Sequence, residues 1–388
     1  MKAEKKQLIK DYMLQTLTVF TSVLPISVSS AVFMGFHYLY GFLFASFASL
    51  LGNKDAQKKI MPAYAAFLIL MFAAHSYGLA TVSLACFICG IISIIFYFLP
   101  KQFKTHDNPV TAGIMLSTAI SVTVMLTTHY FGIGASGNTV REMIASYLSL
   151  GFHPNWRGVL YGTVVMVIMI TFPRKFKKLC TYLKAPFTAV IVTVILNLFL
   201  NPSDFKTAIN EIGSIYIFDK STERIFFFSD GEINFFAAIA CGIALFFVCS
   251  FALQKKNADN SDCRLSAMIN TVFGTSLGLL LPYGTKRKNN KWISSIGSFV
   301  LCLVVLLIPS VERIPLHSLA VVMIVGVWES IEWKEIKKAF SSPVSVIFFV
   351  LSFASILYFG YVYGILISDI LYIIYVCFQK TNAFKTNE

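Results

Sequence analysis

Charge is what this sequence has least of. Asp, Glu, Lys and Arg make up 13% of its 388 residues, about half the share usual in soluble domains. Hydrophobic residues take 56% and aromatics 15%, so there is too little polar side chain to coat a water-soluble core. The chain reads as a polytopic membrane protein with the lipid bilayer as its first partner. Acids are scarcer still, 19 against 32 bases, for a net charge of +13. In a soluble protein that surplus would raise nucleic acid as a partner. Here Lys and Arg collect in short stretches between apolar runs, the pattern of loops on the cytoplasmic side, and no nucleic-acid partner is inferred.

The eight cysteines lack the spacing of a disulfide framework. Cys86-Phe-Ile-Cys89 is formally a CxxC, but it lies in an apolar run without other soft ligands and reads as packing. The six histidines, His37, His75, His106, His129, His153 and His317, form no i, i+3 or i, i+4 pair with carboxylate company. The sequence thus implies no metal, no cofactor and no enzyme activity. A cleavable signal peptide is not expected, because the apolar run after the basic residues 1–11 is long and has no small-residue cleavage site.

What the sequence does have is a succession of apolar runs. They cover about 12–33, 36–51, 62–75, 77–99, 109–128, 156–172, 186–200, 233–253, 265–281, 292–308, 316–327, 344–358 and 362–378. Basic clusters at 101–104, 174–178, 255–264 and 334–338, with Lys2, Lys5, Lys6 and Lys10, assign those segments and both termini to the cytoplasm. The acidic segment 201–232 is assigned outside. Trp156, Trp292, Trp328 and Trp333 fall at run ends, where interface anchors belong.

Two interruptions stand out. Residues 282–292 read Pro-Tyr-Gly-Thr-Lys-Arg-Lys-Asn-Asn-Lys-Trp, and the loop parity works only if this stretch crosses discontinuously; a second polar break at 53–61 precedes Pro62. Paired breaks in two halves are the mark of inverted-repeat transporters, whose opposed helix N-termini favour an anion.

At these positions the sequence resembles the SulP family of sulfate permeases and anion exchangers. Leu24-Pro-Ile-Ser-Val-Ser-Ser-Ala-Val-Phe-Met-Gly-Phe-His-Tyr-Leu-Tyr-Gly-Phe42 is similar to the family's first-helix signature, with Pro25, Gly35, Tyr40 and Gly41 at matching spacing. Met61-Pro62-Ala63 resembles the opening of its third helix, Pro109 to Gly113 its fifth, Lys184-Ala-Pro186 its seventh, Ile314 to Ala320 its twelfth and Tyr363 to Leu366 its fourteenth. Pro282-Tyr-Gly-Thr-Lys-Arg287 is similar to the run before the tenth, which is shortened here.

The resemblance implies an all-α fold of about fourteen segments in a 7+7 inverted repeat, with core and gate domains, shared with uracil permeases. It implies one membrane domain over 1–388, with repeats near 12–200 and 232–378, and a homodimer as in relatives; the STAS domain typical of the family is expected to be absent, since only about ten residues follow the last run. The implied function is secondary transport or exchange of a small anion of the sulfate, bicarbonate, chloride or carboxylate class, in a bacterial inner membrane. Substrate contacts fall on Ile26, Ser30, Pro62, Ala63, Tyr64, Thr285, Lys286 and Arg287. Ile26 and Ser30 replace the family's glutamine and aromatic, which leaves a transport-inactive scaffold as an alternative. A proton-coupled nucleobase symporter is another, opposed by the lack of Asp or Glu in 233–253. Asp369, the one acid well inside a run, is either a coupling residue or a satisfied packing contact.

Overall fold

The computed structural model describes residues 2–34, 61–98, 109–137, 139–180, 183–200, 233–254, 300–301 and 314–385. Among them every regular element is a helix, as lipid requires of backbone that cannot hydrogen-bond to water. In chain order these are α1 (Lys2–Phe33), α2 (Met61–Tyr77), α3 (Leu79–Phe98), α4 (Pro109–Phe131), α5 (Val140–Leu150), α6 (Trp156–Lys175) and α7 (Lys177–Cys180). Then follow α8 (Ala185–Leu200), α9 (Phe235–Gln254), α10 (Leu316–Ser330), α11 (Trp333–Ala339), α12 (Pro343–Phe359) and α13 (Tyr361–Lys385). The expected runs at 36–51 and 265–281, the break at 282–292 and the acidic segment 201–232 lie outside the described residues.

Local sequence sets the boundaries. Asn155 accepts from the backbone N–H groups of Arg157 and Gly158 and so starts α6, while Ser342 accepts from Ser345 N and puts Pro343 at the first position of α12. Gly78 and Gly360, at φ of 84° and 85°, reverse the chain between α2 and α3 and between α12 and α13; a side chain there would strain the backbone. Two helices outrun their apolar segments. α1 begins at Lys2 rather than near 12, because residues 2–11 contain no glycine or proline and mostly good helix formers. α13 continues past 378 to Lys385. α10 and α11 together are apolar enough for one span but bend by 54° between them.

α4 is the hub of the bundle, packed by α2, α10 and α12. Its contact with α12 is close because Gly113 has no side chain: a Cβ there would lie 1.9 Å from Ser352 Oγ and 2.6 Å from the Phe349 carbonyl. Small residues at crossings are how membrane helices approach when lipid is as apolar as leucine. The α3–α9 contact uses the same device, with Gly242 against Ile88 and the Ala85 carbonyl. Cys86 and Cys89 are buried on α3 as small packing side chains.

Contacts at helix ends give each helix a direction. Phe33 at the end of α1 stacks against His129 near the end of α4, with ring centroids 4.8 Å apart. Asn155 N donates to Phe131 O over 2.7 Å, Asn234 N before α9 donates to Thr81 Oγ1 on α3 over 3.2 Å, and Tyr77 closing α2 meets Tyr363 opening α13. These ends share one face. The opposite face gathers cations: Arg174 and Lys175 in the last turn of α6, Lys177 and Lys178 on α7, and Lys334, Lys337 and Lys338 on α11. Trp156, Trp328 and Trp333 stand exposed at helix ends, in the position of interface anchors.

Candidate functional site

Two buried hydroxyls without a hydrogen-bond partner, on α1 and α2, lie against α10. On α1, Pro25 lies inside the helix and Ser29 Oγ donates to its carbonyl over 2.7 Å. Ser27 and Ser30 are three residues apart and so share a face. Ser30 Oγ donates to Met323 Sδ on α10 at 3.8 Å. α1 and α10 run antiparallel, which sets Ser27, one turn back, beside Gly326, one turn on. Ser27 is 1% exposed and its Oγ has no hydrogen-bond partner.

Tyr64 reaches the same level from α2. Its ring is 1% exposed, and its hydroxyl presses on Gly326 so closely that a Cβ there would lie 2.2 Å from Oη and 3.3 Å from Cζ. Gly326 is the sole glycine of α10. The Tyr64 hydroxyl also has no hydrogen-bond partner. A buried hydroxyl left unpaired costs roughly 1–3 kcal/mol, so two at one level form a site that gains from a visiting acceptor. The first turn of α2 adds backbone N–H groups with no partner inside the helix, and Pro62 stands where its missing N–H loses nothing. Donors from α1 and α2 thus stand against α10 at one level, suited to an anion or another strong acceptor.

The structure brings Ser30 and Tyr64 together through α10. Ile26 is buried at 6% exposure beside Ser27. Pro62 and Ala63 are placed as backbone in the first turn of α2. Thr285, Lys286 and Arg287 lie outside the described residues. Asp369 belongs to α13, which is not one of the three helices of this cluster. Ser27, Met323 and Gly326 were not expected from the sequence. Ser27 could have been found as the i−3 neighbour of Ser30, and Gly326 as a lone glycine in an apolar run. Glu329 is exposed and lies one turn beyond Gly326, near the end of α10.

Towards the cation-poor face the site is covered by an aromatic and imidazole plug. His317, 3% exposed, donates from Nδ1 to the His129 carbonyl over 2.5 Å. Its ring fills the space left by Gly158, where a Cβ would lie 2.1 Å from it. With Phe33 against His129, the plug joins α1, α4, α6 and α10.

No protein-family model and no curated protein matches the sequence. Solved structures do match. SLC26A9 aligns with a TM-score of 0.64 at 14% identity, over 96% of this chain and 66% of that one. Murine Slc26a9, described as an anion transporter in the inward-facing state, gives 0.58 at 13% identity, over 95% and 68%. The transmembrane domain of BicA, a cyanobacterium bicarbonate transporter, gives 0.61 at 14%, over 93% and 96%. This chain has the fold of those membrane domains. It spans just under two thirds of SLC26A9 and nearly all of the BicA domain. At such identity the likeness is one of fold, and the all-helical transporter architecture expected from the sequence is the one found. The protein is accordingly an integral membrane protein.

Proposed function

We propose that the protein is a secondary transporter or exchanger of small inorganic or organic anions, working by alternating access as one membrane domain of two inverted repeats. The observation that carries this reading is the Tyr64 hydroxyl, wholly buried and unpaired at the first turn of α2. The anion sits between Ser27, Ser30, Tyr64 and the N–H groups opening α2, with Ile26 as an apolar wall. Thr285, Lys286 and Arg287, which lie outside the described residues, are proposed as further substrate contacts on the strength of the family resemblance alone. Two of the fold neighbours are described as anion and bicarbonate transporters, which supports the substrate class. The cation-bearing face and both termini are cytoplasmic, in a bacterial inner membrane.

The test is uptake of labelled chloride, bicarbonate and sulfate into proteoliposomes. Accumulation of at least one above empty vesicles is expected. Tyr64→Phe should weaken its apparent affinity about tenfold, the worth of one buried hydrogen bond. Absence of uptake for every anion tested, by protein shown to be folded, would refute transport and favour a membrane scaffold.

A further inference from the structure

A second unpaired polar group is buried on α13, which is not one of the three helices of the proposed anion site. Asp369 lies eight residues into α13, ~12 Å along its axis, at 1% exposure, and neither carboxylate oxygen has a hydrogen-bond partner. α13 packs on α12, α9, α2 and α4. Not one of those four helices contains a lysine or arginine. Their titratable side chains are Tyr358 on α12, Cys241 and Cys249 on α9, Tyr64, His75 and Tyr77 on α2, and His129 and Tyr130 on α4. α13 itself adds Tyr361, Tyr363, Tyr372, Tyr375 and Cys377, with Lys380 eleven residues beyond Asp369, ~16 Å away along the axis.

An ionised carboxylate at this depth is expensive unless a positive charge joins it, and among the described residues no fixed cation does. A mobile positive charge would meet that need. A metal cation needs several oxygens at once, and among the described residues no group of three or more His, Cys, Asp or Glu side chains could hold one. A proton needs only the carboxylate.

We infer that Asp369 is a proton-binding site that couples movement of H⁺ to movement of the anion. Water on one side of the membrane supplies the proton, an O–H bond forms at the carboxylate, and the same bond breaks when the proton leaves to water on the other side. No electron is transferred. The inference rests on the anion-transport reading for the coupling, and on the burial of Asp369 alone for the proton.

The experiment uses the full chain in proteoliposomes loaded with a pH-sensitive dye, with chloride, bicarbonate or sulfate as the probe anion. Asp369→Asn should keep labelled anion-for-anion exchange within twofold of wild type while slowing anion-driven proton movement at least tenfold, and Asp369→Glu should restore proton movement. Wild-type proton movement in Asp369→Asn would overturn the inference. So would exchange that follows external sodium rather than pH and is lost in Asp369→Asn. A separate arm needs no substrate: infrared difference spectra of the purified protein across pH should show a carboxyl band that Asp369→Asn removes. If that band appears without anion exchange in wild type, the proton site stands and the transport reading fails; if the band is missing in wild type, the proton site falls.

Discussion

Single side chains decide whether the site can exist. Tyr64 and Gly326 fit as a pair: the hydroxyl occupies the volume that any β-carbon at 326 would need. Gly326→Ala should therefore destabilise the protein by about 1–3 kcal/mol through overpacking. Tyr64→Phe in the same background should recover most of that loss, because the nearest atom becomes the ring carbon at 3.3 Å instead of oxygen at 2.2 Å. Thermal unfolding of the two single variants and the double variant in detergent measures this coupling. Additive losses would show that the two residues are not in contact. Ser30 and Tyr64 were candidates from the sequence because they stand on motifs with a recognisable spacing. Ser27 was not, since its importance comes from the register of α1 against α10, which neither helix encodes alone.

At the scale of elements, hydropathy made most helices legible within a few residues. α4, α6, α10 and α12 fall where their apolar runs predict, and Pro109, Asn155 and Ser342 mark their starts. The early start of α1 was missed because hydropathy registers lysines as loop while the backbone responds to helix propensity. Packing partners were hidden for a related reason. Gly113 and Gly242 are ordinary glycines in the sequence, and only the assembled bundle shows that α12 and α3 come close enough to need them. The plug of Phe33, His129 and His317 is likewise tertiary: its members lie on three helices, and the short-range spacing of histidines gave no hint of it.

For the whole molecule, helix directions place Arg174, Lys175, Lys177, Lys178, Lys334, Lys337 and Lys338 on one face. We predict that this face is cytoplasmic. A cysteine introduced at Asp219, in the acidic segment, should then react with an impermeant thiol reagent from outside in intact cells; labelling only from the cytoplasmic side would reverse the whole arrangement. The overall fold was legible from the order of proline-led and glycine-bearing segments along nearly the full chain. Thr285, Lys286 and Arg287, the contacts expected from the second half of the sequence, lie outside the described residues.

The central claim is that a small anion binds among Ser27, Ser30, Tyr64 and the opening of α2. The most direct measurement is protection of a cysteine in that site. Ser27→Cys, in a background with the native cysteines replaced, should be modified by a small thiol reagent at a rate that the transported anion slows at least fivefold, saturating with the same concentration dependence as uptake. An unchanged rate at saturating anion, with uptake still active, would contradict the account.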